Sequence, residues 1–89
     1  METAFVAVNT QLGQESDVVK AIRKLKGTKE AYKLYGVYDL LVIVEAETIG
    51  ILKERLLKIH RLKDVRATLD MFIQKSSEPY VFTIDQGHI

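Results

Sequence analysis

Eighty-nine residues make one domain and leave no length for a second; at that size only about 60 to 65% of the unfolded surface is buried, so a lone core is marginal. Apolar residues at 47% and charged residues at 28% are globular composition, not that of a disordered chain. Thirteen basic against twelve acidic side chains leave a net charge of +1 that names no partner, and the absence of cysteine excludes a disulfide framework, a thiolate metal site and a cysteine nucleophile.

The opening Met1-Glu2-Thr3 has no basic stretch leading into an apolar segment, so no secretory signal is read and a cytoplasmic domain is expected. Residues 3–10, apolar and β-branched, predict a strand. From Ser16 the period changes: Val18, Val19, Ile22 and Leu25 recur at helical spacing. Acidic Glu15 and Asp17 stand at the start of this helix, basic residues fill its end and Gly27 follows, an order that suits the helix dipole and a glycine stop. Residues 28–35 alternate, and Gly36-Val37 separates them from a strand over residues 38–46, so the pair predicts a hairpin. Its apolar core, residues 40–44, is far short of the roughly 20 residues that span a bilayer. A second helix over residues 48–60 has Ile49, Leu52, Leu56 and Ile59 as its buried stripe, with Glu54 four residues ahead of Lys58. Residues 65–75 form a fourth strand, and residues 80–84 read as a short fifth strand or an extended tail. No internal repeat or low-complexity segment is apparent.

The order β-α-β-β-α-β is that of an α+β, ferredoxin-like split βαβ sandwich, one antiparallel sheet with both helices on one face. Residues 1–75 would form this domain and residues 76–89 a C-terminal extension. The first and third strands are apolar on both sides, and two helices cover only one face. The other would expose a sizeable apolar patch, so closure by a second subunit through two-fold symmetry is expected.

Twelve of the thirteen basic residues fall in residues 20–33 and 53–66, against Glu30, Glu54 and Asp64. The helical layer is therefore expected to be electropositive, either as a solvated face or as a nucleic-acid surface. RNA stacking is rejected, because the third strand offers Leu41 and Ile43 where exposed rings are required; only Phe5 and Phe72 speak for it. His60 and His88 lack a second ligand at metal spacing and read as surface or capping residues. No phosphate-cradling glycine loop or nucleophile elbow exists. Asp39 and Asp70 are the one pair of carboxylates worth considering for acid–base chemistry. The segment Tyr35-Gly36-Val37-Tyr38-Asp39-Leu40 is the most informative. Glycine there admits left-handed angles and close approach of a ligand. Two readings stand: turn amides that take a carboxylate while Asp39 takes an ammonium group, or a plain hairpin whose Asp39 satisfies local amides.

Ala4-Phe5-Val6, Gly27, Tyr35-Gly36-Val37-Tyr38-Asp39, Glu45-Ala46 and Asp64-Val65-Arg66-Ala67-Thr68, in this order, resemble the C-terminal effector (RAM) domain of the Lrp/AsnC, or feast/famine, transcription regulators. The resemblance covers residues 3–75. It implies sheet-to-sheet homodimers assembling into an octamer or similar ring, with small effectors, usually amino acids, in clefts between dimers. Gly36, Val37, Tyr38 and Asp39 match the family's ligand-contacting hairpin. Thr68 matches the first position of its hydroxyl pair on the last strand, and Asp70 stands at the second, where a hydroxyl is usual. A carboxylate there favours an ammonium or cationic group. The family's helix-turn-helix is missing, so the expectation is a stand-alone, non-enzymatic sensor with no cofactor or metal and no sequence-specific DNA binding, acting through mixed assembly with full-length regulators of the family or on some other protein. The alternatives are a cofactor-free dimeric α+β barrel enzyme of monooxygenase or isomerase type, for which Asn9 is the sole asparagine, and a purely structural oligomerisation partner.

Overall fold

The computed structural model describes residues 1–74 and 81–86. Strand β1 (Glu2–Thr10) lies at the centre of an antiparallel sheet, between β3 (Leu40–Ala46) and β4 (Val65–Gln74). β2 (Thr28–Lys33) flanks β3 at one edge and β5 (Val81–Gln86) flanks β4 at the other, giving the order β2-β3-β1-β4-β5. Helix α1 (Glu15–Arg23) packs on β2, and α2 (Ile49–His60) packs across β3, β1 and β4. The expected ferredoxin-like order is thus the observed one. The fifth strand begins at Val81 and pairs with this chain's own β4, with Met71 opposite Ile84. Tyr80, His88 and the Ser76–Ser77 junction lie outside the described residues.

The face beneath the helices is set by period two. Ala4, Val6 and Val8 of β1 sit in register with Val44, Val42 and Leu40 of β3, and all six are essentially inaccessible. Val18, Val19 and Ile22 of α1 and Leu52, Leu56 and Ile59 of α2 close over them, as their spacing predicts. Ile49, expected in the stripe, is instead 47% exposed. It stands at the first position of the helix, and the buried residues begin at Leu52. Thr48 caps this helix, its Oγ1 accepting from Ile51 N at 3.2 Å.

β4 turns its two rows in the less obvious direction. Thr68, Asp70 and Phe72 face the helices and are buried, whereas Ala67, Leu69, Met71 and Ile73 face away. With Phe5, Ala7, Leu41 and Ile43 they make an apolar sheet face that no described helix covers. Phe5 and Phe72 consequently lie on opposite faces and cannot form one stacking platform.

Both helices leave through the same turn, a local repeat that a reading of the whole sequence passes over. Ile22-Arg23-Lys24-Leu25-Lys26-Gly27-Thr28 and Ile59-His60-Arg61-Leu62-Lys63-Asp64-Val65 align residue by residue. In each the leucine amide bonds back to the isoleucine carbonyl and its own carbonyl accepts from the first strand residue. Each also has its next-to-last residue at positive φ, +90° for Gly27 and +70° for Asp64. The tightened bonds explain why α1 stops at Arg23, before the glycine. Gly27 O accepts from Glu45 N at 2.9 Å and Asp64 O from Gln11 N at 2.7 Å, so each turn is tied to the neighbouring loop or strand.

Gly27 is needed for space as well as angle. A Cβ there would stand 2.6 Å from Arg55 Cδ and 2.8 Å from the Glu45 carbonyl oxygen, which the sheet holds fixed. A Cβ at Gly13, at φ +81°, would meet nothing within 4 Å. Gly13→Ala is therefore expected to lose only the left-handed strain, about 1 kcal/mol, and Gly27→Ala at least about 2 kcal/mol. Urea unfolding of the two variants checks this, and equal losses would refute the steric account.

Candidate functional site

The hairpin between β2 and β3 is fixed at its base and open at its tip. Leu34 N donates to Asp39 O at 2.8 Å, and Asp39 N donates to Val8 O at 3.0 Å, which ties the hairpin to the central strand. The Asp39 carboxylate completes the tie: Oδ2 accepts from Thr10 N at 2.8 Å and lies 3.3 Å from Thr10 Oγ1. The register between β1 and β4 shifts between Asn9 and Thr10, so the carboxylate serves an amide that the sheet ladder releases. The local reading of Asp39 describes this geometry. A carboxylate so held keeps lone pairs for a further donor, and the other reading stays open.

Beyond that base the chain is exposed. Tyr35 is at full exposure and Val37 at 85%, either side of Gly36 at φ +132° with open space around it. Tyr38 and Asp39 are partly buried where the hairpin re-enters the sheet. β3 starts only at Leu40 and β2 ends at Lys33, so the turn is longer than alternation suggested: from residue 34 the chain follows the Asp39 bond instead of the ladder.

Thr68 belongs to the same end of the sheet, since Val8 has Leu40 as its partner on one side and Thr68 on the other. It is buried, facing the helices, and its Oγ1 has no hydrogen-bond partner among the described residues. Asp70 lies one pleat deeper, opposite Val6, and does not meet Asp39. Its Oδ1 stands 3.0 Å from His60 Nε2, each side chain at 7% exposure. His60 is therefore not a surface or capping residue. A histidine at the end of an amphipathic stripe reads as exposed, and only the return of β4 beneath α2 supplies the carboxylate that makes burial tolerable. Its Nδ1 is buried without a partner. This pair is what the sequence reading missed, and the spacing of Asp70 in an otherwise apolar-flanked row was its only trace. No group of three or more potential metal ligands exists among the described residues. No described helix is long and apolar enough to cross a membrane.

The helical layer is unevenly electropositive. Arg23 and Arg55 spend donors on the carbonyls of Ala31 and Glu45, and Lys33 donates to Ser16 Oγ. Lys20, Lys24, Lys58, Arg61 and Lys63 are exposed.

A family model described as the Lrp/AsnC ligand binding domain matches residues 3–79. No curated protein matches the chain. The solved structure of FFRP-DM1 is 36% identical, covers 81% of this chain and 97% of its own, and superposes with a TM-score of 0.78. A hypothetical protein, PHS023 of Pyrococcus horikoshii, is 33% identical over 86% of this chain and 94% of its own, with a TM-score of 0.79. A transcriptional regulator of Neisseria meningitidis, NMB0573, solved in complex with L-Met, shares the fold at 17% identity and a TM-score of 0.72; the match covers 89% of this chain and 53% of the regulator.

Replacing His60 by leucine removes the bond that Asp70 Oδ1 makes with it inside the core, and a loss of about 3 kcal/mol is expected. Adding Asp70→Leu is expected to recover at least about half of it, because two apolar side chains leave no uncompensated charge. Denaturant melts of the single and double variants measure the coupling. A double variant weaker than His60→Leu would show that Asp70 has a separate structural role.

Proposed function

The chain belongs to the Lrp/AsnC ligand-binding domain family, and from that premise we propose that it binds an amino acid or a closely related small effector at the Gly36–Asp39 end of the sheet. The domain is a regulatory effector-binding module of the kind carried by these transcription regulators. The observation that carries the finer reading is the hairpin: pinned at its base by Asp39, and at its tip glycine-bearing and solvent-facing. A ligand carboxylate would be taken by the open amides around Gly36 and Val37, and its ammonium group by the remaining lone pairs of Asp39. Tyr38 would wall the site where the hairpin re-enters the sheet, and the unpartnered Thr68 hydroxyl would be its polar contact from β4. Asp70, engaged by His60, would set the polarity beneath the site and disfavour an acidic effector. The amino acid bound by the neisserial regulator supports this ligand class.

Function then follows from linkage. The uncovered face of Phe5, Leu41, Ile43, Leu69 and Met71 would pair with a second copy, because a monomer seldom leaves such a surface in water. Dimers would associate further, to an octamer or a similar ring, through the exposed Tyr35 and Val37. An effector seated where its site is complete only in the assembly would stabilise that assembly. The module would act on full-length regulators of the family by mixed assembly, without catalysis and without reading DNA sequence itself.

Native mass spectrometry of the protein, alone and with each amino acid, is the test. An even-numbered assembly that gains one ligand per subunit, or changes size with one, is expected. Gly36→Val should keep the sheet-to-sheet dimer and weaken binding at least about tenfold, because a β-branched residue is strained at φ +132°. An assembly indifferent to every amino acid would leave an oligomerisation unit and sink the sensor reading.

A further inference from the structure

A second cleft opens at the end of the sheet remote from the hairpin, where Glu2 pairs with Ala46. Its volume is about 410 Å³, within the range of small-ligand sites. The α1–β2 turn, the exit of β3 and one side chain of α2 form it. Three cations line it, Lys26, Lys29 and Arg55, against two carboxylates, Glu45 and Glu47.

Arg55 decides its character. Its guanidinium lies over Gly27, in the space where any Cβ would stand 2.6 Å from Nη1, and Nη1 donates to the Glu45 carbonyl at 2.7 Å. The side chain is thus fixed and partly buried, yet the group that fixes it is a neutral carbonyl. Its charge is not neutralised there, and among the described residues the rest of the donor fork is unused. Among the described residues one ion pair lies in the cleft, Lys29 with the Glu45 carboxylate at 3.7 Å, so these two charges offset each other. Lys26 has no hydrogen bond or ion pair among the described residues. What remains is Arg55 and Lys26 against Glu47. Thr28 also lines the cleft, and its buried hydroxyl lacks a partner, which buried hydroxyls rarely do.

We propose that this cleft is a second ligand site, for a small molecule bearing an oxyanion that Arg55 and Lys26 take together. A planar, pre-positioned guanidinium beside a free ammonium group matches a carboxylate or a phosphate. Either source presents the same chemistry, and the site is independent of any ligand at the hairpin.

The experiment is a ¹H–¹⁵N NMR titration of the full chain at constant ionic strength, with sodium acetate in one arm and inorganic phosphate in the other. Saturable shifts are expected at the Gly27 and Thr28 amides and at Arg55 Nε–H, with a millimolar-order Kd and none at Gly36. Saturation in the acetate arm assigns a carboxylate ligand and saturation in the phosphate arm a phosphate. Lys26→Gln, at an exposed position, and Arg55→Lys, which keeps the charge and loses the fork, should each weaken binding at least about fivefold. If Arg55→Lys does not fold, Lys26→Gln alone decides. Shifts that stay linear to about 50 mM in both arms, appear equally at Lys58 and Lys63, or are unchanged in Lys26→Gln overturn the proposal.

Discussion

The bond from Thr10 N to the Asp39 carboxylate occurs where the central strand loses its register with β4, and the functional end of the domain is organised around it. A strand hydrogen-bonded on both sides cannot take an irregularity unless the released amide finds another acceptor. Asp39 is that acceptor, and its backbone bonds both to β1 and to Leu34. One residue therefore closes the bulge and sets the base of the hairpin. The tip is free because its base is not. Exposed Tyr35 and Val37 lie on a segment whose placement is set by the sheet interior, an arrangement in which a loop can be both accessible and oriented.

A different device recurs at both ends of the sheet, Gly27 beside Glu45 at the remote end and Asp64 beside Gln11 at the hairpin end. The two helix exits share one turn, and positive φ is met once by glycine and once by aspartate. Aspartate tolerates the left-handed region, so Asp64 suffices where only angle matters. At Gly27 the Arg55 side chain and the Glu45 carbonyl fill the space that a Cβ would need. The same crowding that makes glycine obligatory there immobilises a guanidinium. A constraint of the fold and a candidate binding group thus have one cause.

Between the two ends the core is not uniformly apolar. Thr68 and Asp70 enter it from β4 and His60 from α2, among Val, Ile, Leu, Ala and Phe side chains. Removing a charge from water without a partner costs several kcal/mol, which a domain of this size has little reserve to absorb. The pairing of His60 with Asp70 is the condition under which β4 can present its polar row inward and its apolar row to the open face. That orientation leaves Leu69 and Met71 with Leu41 and Ile43 on one surface and makes the sheet suited to meeting another.

The element order, the helical stripes and the two-sided apolar strands were legible in the sequence, because periods of 2 and 3.6 act locally and Val18, Ile22, Leu52 and Leu56 repeat them cleanly. The hairpin segment and its family were legible too, since Gly36 and Asp39 are residue types that a turn of that kind requires. Which row of β4 faces inward was not, because alternation names two faces and only packing chooses between them. The burial of His60 likewise depends on Asp70, ten residues away on another element, and a helical stripe carries no information about its opposite wall. The cleft at Arg55 joins residues 26–29, 45–47 and 55. Sequence determined each of these segments by itself; tertiary structure alone decided that they meet, since charges separated along the chain interact only once the sheet has brought them within reach.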